Sequence, residues 1–283
     1  MQRFDVAFLK GDQAGMAREA TLAQQQPGGN DLVVGRQGFV LAYAGRLQQA
    51  RKTARQAADL ALQAGPAGKT ALWETGAALW EALFGRAGAA RQGALAALQR
   101  STDRDVEYGA AFALAFSGES SRAQTLVDDL ARRFPEDTAV RFMYLPPLRA
   151  LLALNRGEPE KAIELLNAGA SYELGVPPSI APSFIGPFYP TYVRGQAYLR
   201  LHQGVEAAAE FQKILDHRGI VVSDPIGALA HLQLGRAFAM SGDESRALAA
   251  YDEFLTLWKD ADRDLPILED ARAEYAKLQR PAR

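Results

Sequence analysis

A turn centred on glycine recurs along this chain at an interval that admits few folds. Gly11, Gly45, Gly85, Gly118, Gly157 and Gly242 each separate two stretches of helical apolar periodicity, and His202 takes the corresponding place between Gly157 and Gly242. Successive turns lie 33 to 45 residues apart, the length of a two-helix repeat. From the second repeat on, a small residue stands seven positions before each turn, at Gly38, Ala78, Ala111, Ala150, Gly195 and Gly235. Another stands five positions after it, at Ala50, Ala90, Ala123, Ala162, Ala207 and Ala247. Antiparallel helices approach closely only where small side chains face each other, so this register describes the contact line of a helical hairpin. In the last two full repeats the series Gly195, Tyr198, Ala207, Phe211 and Gly235, Phe238, Ala247, Tyr251 adds aromatic rings one helical turn from that contact.

The register predicts an all-α fold: an α-α superhelix of about seven helix pairs plus a C-terminal capping helix. The pairs fall near 2–10 with 12–26, 31–44 with 46–64, 68–84 with 87–99, and 103–117 with 119–133. The later ones fall near 137–156 with 158–168, 187–202 with 205–217, and 225–241 with 243–258, and the cap covers about 265–280. Abundant alanine, the best helix former, agrees with this. Pro146-Pro147 should kink or restart the first helix of pair 5. Asp224-Pro225 reads as an N-cap with proline in the first helical position. The longest break is the proline-rich stretch 171–190, expected to lie over one face and to be anchored by Phe184 and Phe188. It divides the chain into repeats 1–170 and 191–283 within one continuous solenoid.

The arrangement Leu234-Gly235-x-x-Phe238, Gly242-Asp243, Ala247 and Tyr251 resembles the tetratricopeptide repeat, and Phe134-Pro135 stands where that repeat closes with proline. Repeat 1 departs from the pattern, with Phe4 and Met16 in the small positions. The C-terminal half is similar to the repeat regions that follow the catalytic domain in bacterial eukaryotic-like serine/threonine kinases. That likeness is carried by Tyr189-Pro190-Thr191-Tyr192-Val193-Arg194-Gly195, by residues 208–219, by Asp224 to Leu232 and by Phe254 to Asp262. The resemblance implies a sensor or scaffold region of a bacterial signalling kinase or regulator.

Composition narrows the chemistry. A net charge of −1 and a pI near 6.3 remove the basic field on which nucleic-acid affinity depends. Without cysteine there is no disulfide framework, thiolate metal site or thiol nucleophile. Gly65-Pro66-Ala67-Gly68-Lys69-Thr70 contains a Gly-Lys-Thr, but Gln63 stands where a phosphate loop needs its first glycine and no strand precedes it, which favours a helix-capping turn. The glycine-rich loop, His-Arg-Asp and Asp-Phe-Gly of kinases are absent, so any kinase activity would belong to a catalytic domain outside this chain. His202, His217 and His231 do not stand at metal-ligand spacing; His231 reads as helix packing, His217 as a helix C-terminal residue, and His202 as a residue forced into left-handed geometry. No metal or cofactor is expected.

The remaining candidate is a protein-binding surface. In a superhelix of helix pairs the first helix of each pair lines the concave face. The pattern projects Phe39, Tyr43, Tyr108, Phe112, Phe116, Tyr144, Tyr189 and Tyr192 toward it, with Arg36, Arg194 and Arg236 nearby. Aromatics with arginine favour binding hot spots, although an aromatic stripe at helical spacing also builds cores. Trp73, Trp80 and Trp258 are assigned to inter-helix packing. The expected function is a non-catalytic interaction scaffold that binds a peptide or partner helix in the groove; the alternative is a small-ligand sensor with its pocket between the concave face and loop 171–190. No run of about 18 apolar residues is present to span a bilayer, and Asp5 interrupts the short apolar start. A cytoplasmic location is expected, or alternatively the extracytoplasmic part of a membrane-anchored protein.

Overall fold

The turn residues set the architecture. In a computed structural model describing residues 2–25, 30–65, 67–175 and 186–279, the six turn glycines have φ between +69° and +86°, and His202, at +56°, adopts the same left-handed conformation. Each turn closes with the same hydrogen bond, five residues back: Asp12 N–H to the Ala7 carbonyl, Arg46 to Leu41, Arg86 to Glu81, Glu119 to Leu114, Glu158 to Ala153, Gln203 to Tyr198 and Asp243 to Phe238, at 2.8–3.0 Å. These are Schellman closures, which end a helix and reverse the chain in few residues. Histidine has a Cβ, so His202 holds this backbone at a steric cost that glycine avoids.

Sixteen α-helices result among the described residues. The pairs are α1 (Gln2–Leu9) with α2 (Gln13–Gln24), α3 (Asn30–Tyr43) with α4 (Leu47–Ala64), α5 (Ala67–Leu83) with α6 (Ala87–Arg100), and α7 (Arg104–Phe116) with α8 (Ser120–Arg133). They continue with α9 (Leu145–Asn155) and α10 (Pro159–Asn167), then α11 (Tyr189–Arg200) and α12 (Gly204–Asp216). After the single-turn α13 (Arg218–Val221) come α14 (Pro225–Met240), α15 (Glu244–Leu257) and the cap α16 (Pro266–Leu278). Proline has no N–H to give, and Pro146 and Pro147 accordingly lie in the first turn of α9. The turn before them widens into a π-helix, Val140–Tyr144, whose closing bond runs from the Leu145 N–H to the Val140 carbonyl. Asp224 caps α14 by accepting the Ile226 N–H at 3.1 Å. Of the residues expected to anchor loop 171–190, Phe188 is buried, while Phe184 and the rest of 176–185 lie outside the described residues.

Packing follows the small-residue register. Ala50, Ala90, Ala123, Ala162, Ala207 and Ala247 are all 0% exposed. At Gly195 a Cβ would meet the Phe211 ring at 2.6 Å, and at Gly235 the Tyr251 ring at 2.8 Å, so in pairs 6 and 7 the partner helix's aromatic fills the space left by the missing side chain. Pair 1 differs: Phe4 and Met16 join Ala7, Ala20 and Val33 in a small core of their own.

The superhelix then closes on itself. Trp258, at the end of α15, is fully buried edge-to-face against Phe84, with ring centroids 4.9 Å apart. Its indole N–H donates to the Tyr43 carbonyl at 3.0 Å. The Asp262 N–H donates to the Gly45 carbonyl at 3.1 Å, and its carboxylate accepts the Gln48 N–H at 2.7 Å. Arg86 pairs with Asp264 at 2.7 Å. A Cβ at Gly45 would meet Ala261 and Trp258 at 2.6–2.7 Å. The segment leading into α16 therefore lies across the turns of pairs 2 and 3, and α14 packs against α3.

Two substitutions separate these contacts. Ala207→Leu forces a larger group into a filled contact and should cost about 1–3 kcal/mol, whereas Ala209→Leu, on the exposed face of the same helix, should leave the urea midpoint nearly unchanged. Trp258→Ala should lower stability by about 3–5 kcal/mol, as removal of a buried indole does.

Candidate functional site

The inner face of the superhelix is packed rather than open. Phe39 meets Trp80 edge-to-face at 5.0 Å. Tyr108 stacks on Tyr144 at 3.7 Å, and Phe112 meets Tyr189 at 5.2 Å and Tyr192 packs on Phe211 at 5.7 Å. All six of these inner-face aromatics, Phe39, Tyr108, Phe112, Tyr144, Tyr189 and Tyr192, are buried. The closure brings helices from opposite parts of the chain together, and rings that the repeat aims inward become the material filling the centre. Tyr43 and Phe116 reach the surface in part.

The three arginines serve the framework too. Arg36 of α3 pairs with Asp5 of α1 at 3.1 Å. Arg194 bridges Glu173 and Glu210, the latter at 2.7 Å, and Arg236 is bidentate to Glu274 of the cap. Trp73 and Trp80 are buried, as their packing assignment requires. Lys69 of the Gly-Lys-Thr sequence pairs with Asp31 at 2.7 Å, and the Thr70 hydroxyl donates to the Ala58 carbonyl at 3.3 Å, so both side chains tie α5 to its neighbours. His217 sits at the end of α12 with Nδ1 2.7 Å from the Lys213 carbonyl oxygen.

At the centre lies a carboxyl the sequence marked only as a helix cap. Asp224 is buried and accepts hydrogen bonds from the N–H groups of Ile226 and Gly186 and from the Tyr189 hydroxyl. Burial pushes its pKa up to about 6; those bonds and the charge of Arg36 pull against the shift without cancelling it.

Two of the clefts at the surface have charged walls and border the closure or the inner helices. One, about 740 Å³, lies where α4, α5, α7 and α8 meet and is edged by Lys69, Asp103, Arg104, Asp105, Arg133 and Asp137. Its cations are already engaged: Arg104 by Asp105 and Asp137, Arg133 by Glu107 and Asp129, each at 2.7–3.0 Å. Beside it, burial raises Glu107 to about 7 against the pull of Arg133. The other, about 520 Å³, lies over α14 between α13 and α15, with Tyr43 at one end. Arg218, Asp252 and Glu253 line it; none belongs to the repeat register, which carries no signal for them. His231 faces it as well, 2.7 Å from Glu253, and burial lowers the pKa of its ring. No group of three or more His, Asp or Glu among the described residues is placed to hold a metal ion.

Residues 192–266 match the family model of the tetratricopeptide repeat. The crystal structure of a tetratricopeptide repeat protein from Parabacteroides merdae superposes with a TM-score of 0.53 at 15% identity, covering 98% of this chain and 96% of that one. That likeness shows the fold, an α-α superhelix of tetratricopeptide type. No curated protein matches the sequence. No helix among the described residues is long and apolar enough to cross a membrane.

Asp224 supplies a pH test. Its folded-state pKa of about 6 exceeds its unfolded value, so the folded state takes up this proton first and the group's contribution to stability rises as pH falls from about 7 to about 4. Asp224→Asn mimics the protonated form. Its stability relative to wild type, read from urea midpoints, should be greatest at about pH 7 and fall by about 2–3 kcal/mol toward pH 4. A difference independent of pH would show that Asp224 titrates alike in the folded and unfolded chain, and so would overturn the raised pKa.

Proposed function

We propose that this chain is a non-catalytic scaffold that binds a protein partner, the use to which superhelices of helix pairs are commonly put. One observation carries the reading of where it binds. Of the aromatics that the repeat directs inward, Tyr43 and Phe116 alone are not sealed in the core. Both end the first helix of their pair, at the turn edge of the superhelix. Partner contact is therefore assigned to that edge. Arg36, Arg194, Arg236 and the buried rings act as the framework behind it, or join the contact when a partner helix opens the closure at Trp258. The likeness of residues 189–262 to the repeats of bacterial serine/threonine kinases supports a place in a signalling protein, any kinase activity lying in a domain outside this chain.

A photo-crosslinking residue at position 43 or 116 should trap one discrete partner in a lysate of the source organism, while the same residue at exposed Arg55 or Gln92 on the outer helices traps none. Crosslinks confined to the outer positions would overturn the assignment. If Trp258→Ala increases trapping at position 43, binding proceeds through the opened form.

A further inference from the structure

We propose that the turns of pairs 2 and 3 form a receptor for an acidic peptide segment led by an aromatic residue, and that the strap of residues 258–265 fills it as a displaceable stand-in for the protein partner. This rests on the reading above that the partner meets the turn edge, and adds the chemistry of the segment that it uses there. The first observation is a reversal of charge at two adjacent turns. The residue after each left-handed turn position precedes the second helix of its pair, and in four pairs it is acidic: Asp12, Glu119, Glu158 and Asp243. An acid there suits the positive end of the helix, and Asp12 and Asp243 cap it directly. In pairs 2 and 3 the same position holds Arg46 and Arg86, and neither side chain caps its helix. Neighbouring turns thus combine two positive helix ends with two guanidinium groups.

The second observation is what lies on them. Trp258 is seated on Phe84 and the Tyr43 carbonyl, the Asp262 carboxylate takes the Gln48 N–H that Arg46 leaves uncapped, and Asp264 pairs with Arg86. Arg51, further along α4, feels both carboxylates. An aromatic anchor, a backbone bond from Asp262 to Gly45 and two carboxylates are the elements of a docked peptide, supplied here by the chain itself. The third observation is that this occupant is poorly matched. Its exposed Lys259 and Arg263 offset two of the three acids Asp260, Asp262 and Asp264, which leaves a net charge of −1. Arg46 makes no ion pair among the described residues. A partner segment with the same aromatic and no cations brings more negative charge to these arginines and so competes with the strap. The closed strap lowers every competitor's apparent affinity by the fraction of chains that are open, and the closure thereby selects well-matched partners.

The test uses the full chain and a fluorescein-labelled peptide of residues 257–265, read by fluorescence anisotropy. The Trp258→Ala chain, whose receptor has lost its own aromatic anchor, should bind the peptide at least tenfold more tightly than wild type. In the peptide, Trp258→Ala or the pair Asp262→Asn and Asp264→Asn should abolish binding, and the pair Lys259→Glu and Arg263→Glu should tighten it at least tenfold at low salt. Arg86→Glu, added to the Trp258→Ala chain, should lose the peptide and recover binding to one carrying Asp264→Arg. If the Trp258→Ala chain does not melt cooperatively by circular dichroism, a chain carrying Asp262→Asn and Asp264→Asn, at positions outside the core, serves as the opened form. Equal binding by wild-type and opened chains, no saturation of the opened chain, or indifference to the peptide's Trp and Asp substitutions would overturn the proposal. The assay uses purified components and stands whether or not a partner is trapped at position 43. Trapping there that excess peptide does not reduce in the opened chain would leave the partner contact in place and overturn this proposal alone.

Discussion

Everything in this structure depends on the distance at which two helices of one pair can approach. Alanine or glycine on the contact line lets the backbones come close, and ridge-into-groove packing then fixes the angle between them. Because the same contact recurs pair after pair, small rotations accumulate in one sense and produce a superhelix instead of a bundle. The turn is subordinate to that contact. His202 accepts a left-handed backbone because Gly195 and Ala207 on either side of it still bring α11 and α12 together. The register survives where the turn residue does not.

Accumulated curvature brings distant pairs into contact, and this changes the chemistry of the inner face. In an open solenoid the first helices would present their rings to solvent. Here α3, α7, α11 and the start of α14 converge, and desolvation there is severe enough to push the pKa of a carboxyl, Asp224, up to about 6. The same convergence leaves the accessible chemistry at the margins, where helices diverge and a cleft remains between α13 and α15.

The hairpins, the left-handed turn at His202, the Asp224 cap, the interruption at Pro146-Pro147 and the burial of the three tryptophans were legible in the sequence because each is local or periodic. The closure was not. The bond from Trp258 to Tyr43 joins residues 215 positions apart, and nothing in the composition of either segment announces the other. The inner aromatics show the same limit: helical spacing gives the direction of a ring, and only the overall curvature decides whether solvent or another helix lies in that direction. Arg218, Asp252 and Glu253 escaped notice for a related reason. They line one cleft from two separate elements, α13 and α15, and no repeat position encodes that.

The strap across the turns of pairs 2 and 3 also bears on how the chain comes apart. A linear array of repeats melts by fraying, each terminal unit leaving with the loss of one neighbour. In this chain, pair 7 cannot peel away without stripping Trp258 from Phe84 and freeing the backbone groups of Tyr43 and Gly45. Pairs 2 through 7 thus form one cooperative loop whose two ends share a fate. Pair 1, with its separate small core around Phe4 and Met16, stands outside that loop and is the segment from which hydrogen exchange and proteolysis gain their first access.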